Sequence, residues 1–581
     1  MILVSEKVKN TFCYVGDYGG ESILNKTLTE QYSISMWVRS MGIVILCVLL
    51  ILSTLWFEQP PAPKGEDAPK LQFSAARAFK HVQAIARKPH PSGTAENAKV
   101  RAYLVEQMKL LGLQPSVKTY PWTGIVKGAT ESLELHNIIG IHKGTKPGKA
   151  LMLLAHYDST PFGPGANDDA VGVATLLETA RVLQSSPPLE RDIWFVLSDG
   201  EEKGLLGAEL FWLDEKLREE IGLVLNFEAR GSKGSSLMFQ TSKDNGALIS
   251  GFASFAVSPV SSSMLGEIYR MMPNDTDLTV SLQAGIPGLN FGYIDGWDKY
   301  HTAQDAPENV SLATLQHHGE NALAAAKRFG SMDLKQLIEP EHVYFNWFTM
   351  LLHYPDAWTV PMSVLIGVGW LLAIAVLLKK RAIALKGMAN SFLIILGSVI
   401  SSVILSYLLF VGGVYIGNLI AGMQLNLASI PASVNLAFVL AALFVHLLIT
   451  RLTRHVVNGL EMLLTGMLFY FLLLIVAIGL FPGASYLFLL PLLIHGIVIS
   501  FILFKPNPAA SIYHSGIHFV LAIAPLTLTT SLLHLLYTGM PLFINLFSSV
   551  LCVLIFTLLQ PLMTNLIVIR SSQAAHYMKV K

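Results

Sequence analysis

Two hydrophobic rhythms divide this chain. Between Phe73 and Gly330 the apolar runs are short and broken by Gly, Pro and charge. Beyond Asp356 they are long and almost uncharged. In the first region, LMLLA at 151–155, DIWFVLS at 192–198 and GLVLNF at 222–227 stand between polar stretches. Continuous apolar runs of this length predict strands buried on both faces, as in a parallel sheet. Strand-like stretches also lie near 115–121 and 131–141. Helical spacing covers Phe73–Leu113, interrupted by RKPHPSG at 87–93. Its second half ends in Gly112, which fits a helix C-cap. Further helices are expected at about 170–184 and 204–218, and after Ser311, a good N-cap for SLATLQHHGENALAAAKRF. The first region therefore reads as an α/β domain with a mixed, largely parallel central sheet flanked by helices.

The second region reads as an all-α polytopic membrane domain. A bilayer core needs about 20 apolar residues per helix. Seven such spans fall near 359–378, 391–416, 434–450, 460–481, 484–504, 516–537 and 541–569. An eighth, 41–57, precedes the α/β domain. It reads as an uncleaved signal anchor, because EQPPAPKG lacks a small-x-small cleavage site and Trp56 suits a membrane interface. The full parse is a cytoplasmic tail at 1–40, the anchor at 41–57, a Pro-rich linker at 58–70, the α/β domain at 71–335, a connector at 336–358, the spans at 359–569 and a tail at 570–581. Met36 opens MWVRSMGIVILC, a basic flank and then an apolar run, so 1–35 reads as disordered or as an upstream extension.

Composition agrees with a membrane portion: 52% of the 581 residues are hydrophobic and 14% charged. Charge placement orients the spans. Arg39, the cluster Lys379, Lys380, Arg381 and Lys386, then Arg451 and Arg454, Lys505, and Arg570, Lys579 and Lys581 all fall on one side of an eight-span arrangement. By the positive-inside rule that side is cytoplasmic and the α/β domain is exterior. A net charge of +1 gives no reason to expect nucleic acid. The three cysteines, Cys13, Cys47 and Cys552, lie outside the α/β domain, so no disulfide framework holds it. After Asp356 the one carboxylate is Glu461, at a span edge, which speaks against a proton-coupled transporter.

The candidate chemistry sits where the apolar runs end. In open α/β sheets the ligand site lies outside the carboxyl ends of the strands. His156, Asp158, Asp168, Glu201, Glu202 and Glu228 should converge there, with His301 of GWDKYHTAQDAPENV as a further ligand. A histidine among carboxylates suits a divalent ion such as zinc. Singly, each motif has a plainer explanation: an HxD surface pair, an EE helix start, an NDD turn. Together and in this order, AHYDST, GANDDAVG, LSDGEEKG, LNFEARG and KYHT resemble the M28 family of zinc exopeptidases over roughly Phe73–Gly330. The flanking spans resemble its membrane-bound branch of vacuolar membrane proteases and endoplasmic reticulum metallopeptidases.

That resemblance implies a zinc-aminopeptidase-like fold and two zinc ions per chain. Asp168 would bridge them, with His156 and Glu228 on one ion and Glu202 and His301 on the other. Glu201 would be the general base for a zinc-activated water, and Asp158 would orient the His156 imidazole. The implied activity is hydrolysis of N-terminal peptide bonds on the non-cytoplasmic side; the start at Met36 and the cysteine-free domain point to a bacterial inner membrane with the domain in the periplasm, a eukaryotic lumen being the alternative. Glu228 stands where many soluble members have Asp. A silent or transferase-accessory membrane protein and a glutaminyl-cyclase-like enzyme are the alternatives. Arg230, Asp277, Arg270 and Tyr293 are further candidates for the cleft wall.

Overall fold

The structure, a computed structural model, describes Val38 and residues 41–126, 129–335, 337–421, 432–505, 515–540 and 544–560. The expected tails at 1–37 and 570–581, most of the loop at 417–433, His514 and the far end of the last expected span lie outside these residues.

The α/β domain is built on a seven-stranded sheet: β1 (Ser116–Val126), β2 (Ala129–His142), β3 (Ala150–His156), β4 (Ile193–Ser198), β5 (Ile221–Phe227), β6 (Leu237–Thr241) and β7 (Gly288–Gly292). Their spatial order is β1-β2-β4-β3-β5-β7-β6. The parallel pairing expected from sequence is confined to the middle: β4, β3, β5 and β7 run parallel, whereas β1 and β2 on one side and β6 on the other are antiparallel. The difference has a local cause. The half-polar sequence of β1 and β2 suits a hairpin with a solvated face, while the middle strands are apolar on both faces.

Alternation divides those middle strands between two cores. Leu151, Leu153, Ala155, Phe195, Leu197, Leu225 and Phe227 pack against α2 (Ala75–Ile85), α4 (Ala170–Gln184), α7 (Gly246–Phe255) and α10 (Leu312–Phe329). Met152, Leu154, Trp194, Val196 and Val224 face α5 (Leu206–Trp212), α6 (Glu215–Glu220) and α9 (Asp277–Gln283). Each fully buried Leu, Val or Phe contributes about 1.5–3 kcal/mol. The helix expected at 204–218 is two short helices, divided before the Asp214 N-cap of α6. The Phe73–Leu113 segment divides into α2 and α3 (Ala95–Leu110), and Gly112 takes the left-handed conformation (φ 71) that ends the second. Ser311 caps α10 by accepting from the Thr314 N–H. Remaining on the sheet's β6 side is α8 (Ser263–Met271).

The membrane-facing region comprises α11 (Thr359–Lys379), α12 (Leu385–Ala421), α13 (Ala432–Thr453), α14 (Gly459–Leu480), α15 (Tyr486–Leu503), α16 (Ser515–Gly539) and α17 (Ile544–Leu558), with α1 (Met41–Phe57) ahead of the α/β domain. Among the described residues, α11–α16 are long and apolar enough to cross a membrane; α1 and α17 are apolar but shorter. Lipid is as apolar as leucine, so small and polar side chains hold such helices together. Ser398, Ser402 and Ser406 are buried one turn apart on α12, and Ser406 bonds Ser549 of α17 at 2.6 Å. Glu461 is a structural cap: it completes a capping box with Asn458 and accepts from the Ala384 N–H, fastening α14 to the start of α12. His446 and His495 each have a hydrogen-bond partner, Gln560 and the Pro491 carbonyl.

The expected connector at 336–358 contains a hairpin, β8 (His342–Trp347) and β9 (Met350–Pro355). Tyr344 packs into the larger sheet core, while Val343 and Phe345 pack into the helical core. Phe345 stacks on Tyr486 with ring centroids 4.6 Å apart. Asn346 donates to Glu58, the buried residue that follows α1. The Ser263 hydroxyl donates to the Gly483 carbonyl, in the turn between α14 and α15. The end of α1, the α14–α15 turn and the end of α16 thus all meet the α/β domain.

Candidate active site

The site forms where β3, β4 and β5 end, because parallel strands bring their carboxyl ends to one edge. His156 closes β3, Asp199 follows β4 and Glu228 follows β5. Two loops complete it: Gly165–Asp169, leading into α4, and Tyr300–Thr302. The sequence-derived residues separate into two donor groups, His156, Asp168 and Glu228, and Asp168, Glu202 and His301. Within each group the ligand atoms lie within 4.8 Å of one another. Asp168 belongs to both. Its Oδ1 is 3.1 Å from His156 Nε2 and its Oδ2 is 3.1 Å from His301 Nε2. Glu228 Oε2 is 3.7 Å from His156 Nε2, and Glu202 Oε1 is 3.2 Å from His301 Nε2.

Supporting contacts fix this geometry. The second ring nitrogen of His156 faces the Asp158 backbone carbonyl at 3.1 Å and its carboxylate at 3.5 Å. The Asp158 carboxylate also accepts from the backbone N–H groups of Glu201 (3.1 Å) and Glu202 (3.3 Å). Asp158 thereby holds the Glu-Glu turn as well as the imidazole, a wider part than its sequence position conveyed. Asp169 caps α4 by accepting from the Gly172 N–H. His301 has a left-handed backbone (φ 55), sparsely used by residues other than Gly and Asn, and its ring stacks on Tyr300.

Several supporting residues carry no motif of their own. Asp305 accepts from the Asn167 side chain and from the backbone N–H groups of Asn167 and Asp168, setting the loop that carries Asp168. Tyr293 donates to the Asn167 side chain. Ser92 donates to both Asp158 and Asp199. Asp305 follows His301 closely, in a turn rich in small and polar residues, and that proximity was its one legible signal. Of the four cleft candidates, Arg230 and Tyr293 line the cavity beside the site. Asp277 and Arg270 do not: Asp277 is buried behind the strands, accepting from the Ser198 hydroxyl, and Arg270 is half exposed and pairs with Glu267 one helical turn away.

So much buried negative charge is stable when a cation shares it. Burial raises the carboxyl pKa of Glu228 to about 8 and of Glu202 to about 7. Burial also opposes ionisation of Asp168, but hydrogen bonds from both imidazoles outweigh it and hold the group at about 2. Burial works against protonating His301, yet Asp168 and Glu202 raise it to about 9. Glu202 Oε1, 3.2 Å from His301 Nε2, is buried with no aligned hydrogen-bond donor among the described residues. Ligand-type atoms grouped around a shared carboxylate, with an acceptor left over, fit divalent metal, and binding it would displace protons from the histidines.

Residues 137–326 match the model of "Peptidase family M28". The chain carries a peptidase M28 domain. Endoplasmic reticulum metallopeptidase 1 of Mus musculus is 29% identical over 58% of this chain and 40% of its own. The vacuolar membrane protease of Candida albicans strain WO-1 is 32% identical over 42% of this chain and 29% of its own. The chain thus spans less than half the length of these curated relatives. Among solved structures, the aminopeptidase from Aneurinibacillus sp. strain AM-1 is 16% identical, with a TM-score of 0.38, over 49% of this chain and 98% of that one. With its apolar helices and these membrane relatives, the M28 domain belongs to a multi-pass membrane protein.

Proposed function

We propose that this chain is a membrane-anchored di-zinc aminopeptidase that hydrolyses the N-terminal bond of peptides on the non-cytoplasmic side. The observation that carries this reading is Asp168, whose two carboxylate oxygens each face one imidazole at 3.1 Å where the two donor groups join. His156, Asp168 and Glu228 would hold one zinc; Asp168, Glu202 and His301 would hold the second. Bound zinc supplies Lewis acidity to a peptide carbonyl and lowers the pKa of water beside it.

Glu201 supplies the base. It belongs to neither donor group but lines the same cavity as Asp168 and Glu228. Burial pushes its pKa well above the glutamate range, and Glu228 and Glu202 add to the rise against the pull of His156. A carboxylate with a raised pKa accepts a proton from water more readily and delivers it to the departing amine. Asp158 acts through the Glu201 and Glu202 backbone and through His156, and is a positioning residue.

The full chain in detergent, made zinc-replete, should hold about two zinc ions and hydrolyse aminoacyl fluorogenic substrates, losing activity on chelation and regaining it with zinc. A zinc content near zero would sink the enzymatic reading; one ion per chain would favour the cyclase-like alternative.

Sidedness rests on the basic residues between spans. The helix ends that meet the M28 domain alternate with the basic clusters along the chain, as that orientation requires. Reporter fusions after Lys70, Lys380, Ala428 and Lys581 should read exterior, cytoplasmic, exterior, cytoplasmic. A cytoplasmic signal after Lys70 would overturn the orientation.

A further inference from the structure

A cavity of about 320 Å³ runs from the donor groups to the membrane helices. Asp168, Glu201, Glu228, Arg230 and Tyr300 make one end polar, and Tyr269, Asn274, Asp275 and Thr276 add polar groups to the wall. The other end is apolar, and part of it does not come from the M28 domain. Leu535, Leu536, Gly539 and Met540, at the end of α16, close it opposite Leu237, Phe239, Leu265, Ile268 and Ile294. The joint is packed rather than incidental. Leu535 is buried in one cluster with Leu237 and Val260, against Phe239, Leu265 and Ile294. A Cβ on Gly539 would lie 2.7 Å from the Ile294 Cδ1, so the helix end and the domain are in close contact here. Ile294 directly follows Tyr293, which supports the Asp168 loop through Asn167.

From this we infer that the last turn of α16 is a wall of the substrate pocket, and that the pocket takes the large apolar side chain of a peptide's first residue. The inference rests on the peptidase reading and extends it to substrate class. Small-ligand sites of about 300 to 1,000 Å³ are mostly apolar with a few placed polar groups, as here. A side chain lying among Leu535, Leu536, Leu265 and Ile268 puts the carbonyl of its own residue at the carboxylate end, beside Glu201. Arg230 stands at that end, and its Nη1 is buried with no hydrogen-bond partner among the described residues, free to donate to a peptide carbonyl. The membrane bundle is then part of the specificity machinery as well as an anchor. Acidic first residues would meet Asp275 as well as the apolar wall and be rejected.

The test compares the full-length wild type with Leu536→Trp, which fills the apolar end without touching the donor groups. Zinc content should stay equal in both. The kcat/KM for a leucyl substrate should fall at least tenfold, and for an alanyl substrate stay within about twofold, because one or two methylenes in an apolar pocket are worth about 10- to 200-fold. An equal fall for both substrates, or no change in either, would overturn the inference while leaving the peptidase reading intact. If the wild type hydrolyses neither substrate, the peptidase reading fails, and calorimetric binding of leucine and alanine hydroxamates decides the pocket separately. A leucine preference of tenfold or more in the wild type that Leu536→Trp abolishes supports it; no preference overturns it. Leu536→Met, close in volume, should restore the leucyl preference in either readout, and its failure to do so would also count against the wall.

Discussion

Glu201→Gln is expected to keep two zinc ions per chain and lower kcat by a factor on the order of 10² to 10⁴. The substitution preserves size and one acceptor and removes basicity. Glu201 lies outside both donor groups, so metal loading should not sense the change. Its backbone N–H donates to Asp158 regardless of the side chain, so the Glu-Glu turn should hold its shape. Glu202→Gln is the informative neighbour. Glu202 is a member of the second donor group, and a neutral amide oxygen is a poorer zinc ligand than a carboxylate. That variant should lose zinc, whereas Glu201→Gln should lose turnover alone. Metal analysis and single-turnover rates on the same preparations separate the two, and the opposite pattern would show that the roles are exchanged. Full activity in both variants would reduce the pair to the acidic start of a turn.

Asp168→Ala should remove both ions and reduce activity below detection. Among the described residues no other belongs to both donor groups, and Asp168 contacts both imidazoles at 3.1 Å. The loss of zinc affinity should exceed the 10- to 100-fold that changing a supporting residue typically costs. The surrounding loop has its own anchorage, since Asp305 accepts from the Asn167 and Asp168 backbone N–H groups, which alanine retains. The variant should therefore fold, with a far-ultraviolet circular dichroism spectrum like that of the wild type. Retention of one tightly held zinc would contradict a shared carboxylate.

His156 and Glu228 were legible because each ends or follows an apolar run, and a parallel sheet must deliver such ends to one edge, whereas Asp168 and His301 lie in loops and were legible through their motifs. Strand β3 shows the logic: LMLLA is long enough to cross the core, and His156 is the next residue. The caps at Ser311 and Gly112 were legible too, because a cap is a local contract between a residue and the adjoining turn of backbone. What escaped was non-local. The alternation in β6 and β7 is too short to announce a strand, and β7 exists because β5 and β6 stand ready to pair with it. Asp305 acts over a chain separation of 137 residues from the Asp168 backbone it holds, and its closeness to His301 was all that marked it.

The sequence by itself determined the two-part character of this protein, the apolar helices and the order of the residues that meet at the site. These follow from composition and from periods of two and 3.6, which each segment carries alone. Tertiary structure alone decided how the parts join. The hairpin of β8 and β9 reads in sequence as a connector, yet it inserts Tyr344 into one core and Phe345 into the other. Helix α16 reads as one more span, yet its last turn reaches the M28 domain, because Leu535 is buried there with Leu237 and Val260. Local pattern specifies which face of an element is apolar. Which other apolar face covers it is settled only when the whole chain has closed.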